Sequence, residues 1–167
     1  MRFLVWLVVV GSMLGTLYAE PLLKVSKEQD KVLRQAHKFG EPYDLSWSLM
    51  AIVWKESRAG KWNINLQDPS VCPFMININT AIRRTDLKDT SFNRNVLAQE
   101  LIDDFRLCSA HAVTELTYWR AKYGNNWRAI WSSYNGGYNN SSRRAQEYAQ
   151  DIVDIIKRLK VIYKDLL

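Results

Sequence analysis

Residues 45–57 read LSWSLMAIVWKES, and this stretch decides the fold. Apolar residues recur in it at intervals of three and four, which is the spacing of one face of an α-helix. That face consists of Leu45, Leu49, Ile52 and Val53. The pattern predicts a helix packed into a core. Glu56 lies four residues after Ile52 and seven after Leu49, so the same spacing directs its carboxyl group toward the interior.

Helical patterns continue on both sides of this stretch. Ser26-Lys27-Glu28-Gln29 resembles a capping box, which predicts that a first helix begins there and ends at Gly40. Residues 93–123 predict one long helix, or two that join near Ser109. A short helix is predicted at 127–134, and a last one from near Ser142 almost to the end of the chain.

Residues 60–80 interrupt the helical pattern with Gly, Asn, Asp, Ser and Pro. They predict a long loop, with a small hairpin at Val71 to Ile78 as an alternative. Loops of this length inside a domain usually serve function. The fold class is therefore mainly α, or α+β if the loop pairs into a sheet. We expect one domain over residues 20–167, because no repeat or linker divides it.

Composition excludes few classes of protein. The 167 residues are 47% hydrophobic and 24% charged, which is typical of a globular domain. The formal net charge is +6, but no block of five or more basic residues occurs. We therefore expect no nucleic-acid partner. The seven Trp and eight Tyr suit a core and also suit stacking against sugar rings.

The N-terminus resembles an export signal. Met1 and Arg2 precede an unbroken apolar run at residues 3–10, and weaker apolar character ends at Tyr18-Ala19-Glu20-Pro21. This order predicts a signal peptide over residues 1–19. A retained signal anchor is the alternative, in which the membrane is contacted through this segment alone. Both interpretations export the domain to the periplasm or the cell exterior.

Two cysteines, Cys72 and Cys108, leave two interpretations open. An exported chain with an even number of cysteines can form a disulfide, whereas buried thiols can also act as small apolar groups. The chain has only two histidines besides them, and none of these residues has ligand spacing. We therefore expect no metal site and no cofactor.

Glu56 is the main candidate for chemistry. Glutamate is rarely buried without a reason, and burial raises its pKa by disfavouring the charged form. A carboxyl group that is protonated near neutral pH can donate a proton to the oxygen of a breaking bond. From periodicity alone, a structural role is the commoner outcome, with Lys55 or Arg58 as an ion-pair partner.

Further residues lie around Glu56 in a recognisable order. Glu56-Ser57 is followed by the loop at residues 72–77, by Thr80-Ala81, and later by the Tyr-Asn-Gly-Gly segment at residues 134–137. This order resembles the soluble lytic transglycosylase family, which shares the goose-type lysozyme fold. Members have Glu-Ser at a helix end, then Gly-Leu-Met-Gln-Ile and Thr-Ala, and later Ala-Tyr-Asn-Ala-Gly. The resemblance spans about residues 45–148.

The resemblance implies a function and a site. It implies cleavage of peptidoglycan between N-acetylmuramic acid and N-acetylglucosamine, with a 1,6-anhydro product. Glu56 would be the general acid and base, and Tyr134 the catalytic partner that hydrogen-bonds near it. The implied substrate-binding residues are Ser57, Phe74, Met75, Ile76, Asn77 and Asn135. Peptidoglycan glycan strands are the implied partner, and we expect a monomer.

The loop departs from the family pattern at three positions. Cys72 replaces Gly, Pro73 replaces Leu, and Met75 replaces Gln. The family glutamine makes polar contacts with sugar, which the thioether of Met75 cannot make with equal strength. The sequence therefore predicts weaker binding at that subsite.

Two alternatives to a transglycosylase stay open. A lysozyme-like hydrolase needs a second carboxylate to orient water, and Asp68 in the loop is the best candidate. The plainer interpretation of Asp68 is a turn residue before Pro69. The other alternative is a peptidoglycan-binding or assembly factor that has lost catalytic activity. In that case, the departures of the loop from the family pattern would reflect the loss.

Overall fold

The computed structural model describes residues 23–167, so the predicted signal segment lies outside the described residues. The prediction of a mainly helical chain with a small β-structure is confirmed. The helices are α1 (Lys27–Gly40), α2 (Ser46–Ser57), α3 (Ile78–Ile82), α4 (Ser91–Asp103), α5 (Phe105–Tyr123), α6 (Trp127–Gly136) and α7 (Arg143–Ile162). The strands are β1 (Ile64–Asn65), β2 (Ser70–Val71) and β3 (Ile76–Asn77). Short 3-10 turns lie at Glu41–Tyr43, Gly137–Asn139 and Lys164–Leu166.

Helix α1 begins at the predicted capping box. The Ser26 hydroxyl accepts a hydrogen bond from the Gln29 backbone N–H at 3.3 Å, and the Gln29 side chain accepts one from the Ser26 N–H at 2.9 Å. Gly40 ends the helix, as predicted. A Cβ atom at Gly40 would lie 2.6 Å from the backbone nitrogen of Ser46, so only glycine allows α2 to begin so close to α1.

Helix α2 is the centre of the domain. It packs against α1, α5 and α7, and its predicted apolar face is buried. Met50, Ala51 and Trp54, which lie outside that face, are buried as well. The helix is therefore enclosed on nearly every side, as expected of a helix that is apolar all round. Its last turn, which carries Glu56, is where polar surroundings begin.

The predicted long loop is a small antiparallel sheet with strand order β1-β2-β3. The predicted hairpin is the β2–β3 pair, in which Val71 faces Ile76. Strand β1 pairs Ile64 with Val71 and was not predicted, because two residues are too few to show alternation. Helix α3 was also missed. Its N-cap is Asn77, whose side chain accepts a hydrogen bond from the Thr80 N–H at 3.2 Å.

The long helical pattern at residues 93–123 is two helices, and the predicted joint near Ser109 is wrong. The break lies at Asp104, whose backbone is extended. Its carboxylate accepts hydrogen bonds from the N–H groups of Arg106 at 2.7 Å and Leu107 at 3.2 Å. This N-cap stabilises a new helix start in place of a continuous helix. Ser109 stays helical, and its hydroxyl donates to the Phe105 carbonyl at 2.7 Å.

The two cysteines form a disulfide. The bond joins Cys72, in the turn between β2 and β3, to Cys108 in the first half of α5, with Cα atoms 6.3 Å apart. It resolves the two interpretations left open by the sequence. The sheet is thus tied covalently to a long helix of the core.

Helices α6 and α7 complete the domain and pack closely. Helix α6 ends at Gly136, two residues later than predicted. A Cβ atom at Gly136 would lie 2.8 Å from that of Ala145, so this glycine permits the close approach. Ser142 caps α7 by accepting a hydrogen bond from the Ala145 N–H at 3.3 Å. Between residues 23 and 167, no helix is long and apolar enough to cross a membrane.

Candidate active site

A cleft of about 320 Å³ lies where α2 ends. The sheet forms one wall, and α5, α6 and the start of α7 form the other. Most of the lining groups are polar. The residues that line the cleft are Glu56, Asn65, Asp68, Ser70, Met75, Ile76, Asn77, Thr80, Arg84, Glu115, Ser133, Tyr134, Asn135, Gly137 and Arg144.

Glu56 lines the cleft from the last turn of α2. Burial raises the pKa of its carboxyl group to about 7. A hydrogen bond from Tyr148 lowers this pKa, as do the positive charges of Lys55 and Arg144, whereas the charge of Asp68 raises it. Burial is the largest of these effects, so Glu56 is substantially protonated near neutral pH. The group can therefore donate a proton there and afterwards accept one.

Tyr148 of α7 holds Glu56 in position. Its hydroxyl donates a hydrogen bond of 2.6 Å to Oε1 of Glu56. Burial raises the pKa of this hydroxyl well above 10, so the tyrosine remains a donor. From the sequence, Tyr148 is predicted only to lie within the last helix. Its position on an apolar stripe gives no signal of a polar contact with a residue 92 positions away.

Tyr134 lines the same cleft, but its hydrogen bond is to the backbone near Glu56 and not to Glu56 itself. Its hydroxyl donates to the backbone carbonyl of Phe74 at 3.0 Å. It therefore fixes the loop between β2 and β3 from α6, while the direct hydrogen bond to Glu56 comes from Tyr148. Burial raises the pKa of Tyr134 well above 10, and the nearby charge of Glu56 adds to this.

Four of the six predicted substrate-binding residues line the cleft. These are Met75, Ile76, Asn77 and Asn135. The Asn77 amide donates to the Asp68 carboxylate at 2.6 Å, so these two side chains form one polar surface beside the cleft. The structure thus brings together Glu56 and groups that the sequence places up to about 80 residues away from it.

The other two predicted residues, Ser57 and Phe74, do not line the cleft. The Ser57 side chain is fully buried; it donates to the Val53 carbonyl at 3.0 Å and accepts from the Gly60 N–H at 2.8 Å. Phe74 is also fully buried, and its ring lies 5.8 Å from that of Phe105. Both side chains support the walls of the cleft and present no surface to a ligand.

The turn that carries Met75 has an unusual backbone. Cys72 and Met75 both have left-handed backbones, with φ of 66° and 49°. The Met75 N–H donates to the Cys72 carbonyl at 3.0 Å, which closes the turn. Glycine adopts this conformation without strain, whereas Cys72 and Met75 need surrounding contacts to hold it. Here the disulfide holds Cys72 in place.

Two further carboxylates line the cleft. Asp68 was a candidate from the sequence, and its side chain is exposed and hydrogen-bonded to Asn77. Glu115 of α5 was not predicted. It forms an ion pair with Arg84 and accepts a hydrogen bond from the Trp119 indole at 2.5 Å. Because Glu115 is already paired, Asp68 is the freer of the two to contact water or a ligand.

Over residues 23–167, histidine, cysteine and acidic side chains form no group of three or more that could hold a metal ion. Comparison of the chain with protein-family models, with curated proteins and with solved structures finds no match.

Proposed function

We propose that this chain is a peptidoglycan lytic transglycosylase that uses Glu56 as its single acid and base. One observation carries the proposal: a glutamate with a pKa of about 7 at the base of a polar cleft. Ordinary carboxyl groups are ionised at neutral pH and cannot donate a proton. The order of motifs that resembles the transglycosylase family supports the substrate, which is the bond between N-acetylmuramic acid and N-acetylglucosamine.

In the first step, protonated Glu56 donates its proton to the bridging glycosidic oxygen. The bond between this oxygen and the anomeric carbon of the muramyl residue breaks, and the N-acetylglucosamine part leaves as an alcohol. Positive charge develops on the muramyl ring. The N-acetyl group of the substrate stabilises that charge, so the enzyme does not need a carboxylate nucleophile.

In the second step, ionised Glu56 takes the proton of the muramyl 6-hydroxyl. The oxygen of that hydroxyl closes onto the anomeric carbon and forms the 1,6-anhydro ring. The carboxyl group is protonated again, so protons balance over the cycle and no water enters the product. Tyr148 supports both steps, because its hydrogen bond of 2.6 Å orients the carboxyl group and stabilises its ionised form.

The proposal extends to location and partner. Peptidoglycan lies outside the cytoplasmic membrane, which fits the export signal that residues 1–19 resemble. The glycan strands carry acidic groups, and the chain carries a net charge of +6. Long-range attraction would favour the encounter between them. We propose that the domain acts as a monomer on these strands.

A hydrolase of goose-type lysozyme character is the second candidate. The observation in its favour is that Asp68 lines the same cleft as Glu56 and its charge influences the pKa of Glu56. In this mechanism Asp68 would orient a water molecule toward the anomeric carbon. The product would then have a reducing end in place of the anhydro ring.

Mass spectrometry of the products released from purified peptidoglycan tests the proposal. The full-length chain, Glu56→Gln and Asp68→Asn are compared, with Glu100→Gln as control because Glu100 is an exposed acid of α4 that lies outside the cleft. We expect anhydromuropeptides from the wild type, Asp68→Asn and Glu100→Gln, and none from Glu56→Gln.

Other outcomes identify the alternatives. Reducing-end products that disappear in Asp68→Asn would establish the hydrolase. If the wild type and every variant bind sacculi but release no product, the chain is a binding or assembly factor, and the proposed activity is overturned.

A further inference from the structure

We propose that an exposed aromatic surface beside the cleft binds a saccharide ring of an acidic glycan. This aromatic platform consists of Tyr118, Lys122 and Tyr138, packed around Trp119. It lies on the second half of α5 and on the 3-10 turn that follows α6. The inference rests on the proposed function and adds to it a subsite beyond the groups that surround Glu56.

The buried indole of Trp119 organises the platform. The ring of Tyr138 meets it edge-on with centroids 5.1 Å apart, and the ring of Tyr118 does so at 4.8 Å. The hydroxyl groups of Tyr118 and Tyr138 hydrogen-bond to each other. Tyr123 stacks on Trp119 at 5.9 Å. Because these contacts fix both exposed rings, a ligand would bind to a surface that is already ordered.

The platform is continuous with the cleft. Gly137, which lines the cleft, is the residue before Tyr138. Glu115, which also lines it, accepts the indole hydrogen bond of Trp119 at 2.5 Å. A chain bound in the cleft could therefore continue over the platform at the side of α5. A polymer occupies such an extended surface, whereas a small ligand would fill the cleft alone.

The exposure of these rings is unusual for a packed cluster. Tyr138 is 70% exposed and Tyr118 is 47% exposed, although Trp119 beneath them is buried. Each ring thus presents apolar surface to solvent while it packs against Trp119, and Lys122 covers one face of Tyr138. Aromatic faces of this kind suit the C–H groups of a pyranose ring, and the hydroxyl groups can bond to its polar substituents.

Charge indicates which glycan fits. The ammonium group of Lys122 lies 4.0 Å from the centroid of the Tyr138 ring. A ring that stacks near Tyr138 would place its substituents within reach of this positive charge. A sugar that bears a carboxylate, as N-acetylmuramic acid does through its lactyl group and peptide, would gain an ion pair there. A neutral sugar would gain the stacking contact only.

Binding to purified sacculi tests the platform without catalysis. The parent protein is the full chain with Glu56→Gln, and it is compared with Tyr138→Ala, Tyr138→Phe and Lys122→Gln added to it. Phe92→Ala is the matched control, because Phe92 is 74% exposed, lies at the start of α4 and does not line the cleft. A neutral hexamer of N-acetylglucosamine serves as the second ligand.

We expect Tyr138→Ala to weaken binding of both ligands by between about threefold and tenfold, the usual effect of one aromatic contact. Tyr138→Phe should weaken binding less than Tyr138→Ala does, because it keeps the ring and loses only the hydroxyl group that bonds to Tyr118. Lys122→Gln should weaken binding of sacculi and leave binding of the neutral hexamer unchanged. Phe92→Ala should bind both ligands as the parent does.

Three results would overturn the inference and are distinguishable from one another. If the parent binds sacculi and Tyr138→Ala binds them as well as Phe92→Ala does, the platform is not a subsite, and the proposed function stands. If the parent binds neither ligand, the proposed function fails and the platform with it. A loss confined to sacculi in Tyr138→Ala would exclude saccharide stacking and assign the surface to the peptide.

Discussion

Two opposing effects have the largest influence on the protonation of Glu56. Burial at the end of α2 disfavours the carboxylate, whereas the hydrogen bond from Tyr148 favours it. Burial is the stronger effect, so the pKa is about 7 and not the ordinary value of 4.5. The same balance makes Glu56 suitable for proton transfer and makes its ionisation costly for the folded state.

This cost predicts how stability depends on pH. Between pH 4.5 and about 7, the folded protein holds a proton on Glu56 that the unfolded chain has released. Stability therefore falls as pH rises through this range, by on the order of 3 kcal/mol for this group. The side chain of Glu56→Gln cannot ionise, so this variant should not lose that stability as pH rises.

Urea unfolding of both proteins at about pH 4 and about pH 8 measures the effect. The free energy of unfolding of Glu56→Gln, relative to wild type, should increase from the lower to the higher pH. Other groups titrate equally in both proteins, so they cancel in the comparison. A constant difference between the two proteins would show that the pKa of Glu56 is not raised.

Tyr148 provides the second test at this scale. Tyr148→Phe removes the donor that lowers the pKa of Glu56, so this pKa should rise further. Peptidoglycan cleavage, which we propose to require protonated Glu56, should then persist to higher pH than in wild type. Its pH profile measures this shift.

Tyr134→Phe is the matched control for Tyr148→Phe. The Tyr134 hydroxyl bonds to the Phe74 carbonyl and not to Glu56. Loss of this hydrogen bond should lower stability by about 1 kcal/mol and leave the pH profile of peptidoglycan cleavage unchanged. Equal shifts in the two variants would contradict the assignment of Tyr148 as the residue that positions Glu56.

At the scale of elements, the break between α4 and α5 is a feature that the periodicity of apolar residues does not reveal. The apolar spacing continues across Asp104, so the pattern alone fits one helix. The carboxylate of Asp104 accepts hydrogen bonds from two backbone N–H groups of the next turn, and this local contact ends one helix and begins another. The orientation of α5, and with it that of Glu115 and Cys108, follows from this break.

Asp104→Ala should therefore destabilise the protein by about 1 kcal/mol, the usual cost of losing an N-cap. Asp103→Ala is the neighbouring control, since that residue ends α4 and bonds only to the exposed Gln99 side chain among the contacts described. Chemical denaturation of both variants measures the difference. A helix that continued through position 104 would show no greater loss in Asp104→Ala than in Asp103→Ala.

At the scale of the whole molecule, the disulfide connects two parts that are distant along the chain. It closes a loop across a sequence separation of 36 residues and joins the turn before Met75 to α5. The Tyr134 hydrogen bond to Phe74 holds the same turn from α6. The wall of the cleft is thus fixed from two helices.

Replacing both cysteines with serine should lower the free energy of unfolding by about 4 kcal/mol, which is the chain-entropy effect expected for a loop of this length. Urea unfolding with and without a thiol reductant measures this. The reductant should destabilise wild type and leave the double variant unchanged. A wild-type protein insensitive to reductant at every urea concentration would contradict a stabilising bond.

The sequence by itself determined the helices with strong local signals. The capping box at Ser26, the apolar run of α2 and the start of α7 near Ser142 were predicted close to their observed positions. Glu56 was predicted to face the interior, and it lines a cleft at the helix end. Contacts within about four residues control these features, so a linear pattern contains them.

Only the tertiary structure decided which distant residues meet. It supplied Tyr148 as the partner of Glu56, bonded Cys72 to Cys108, and buried Ser57 and Phe74 away from the cleft. It also paired strands of two residues, which are too short to be recognised. Such contacts depend on how the helices pack against one another, and this packing is set by the whole core and not by any one segment.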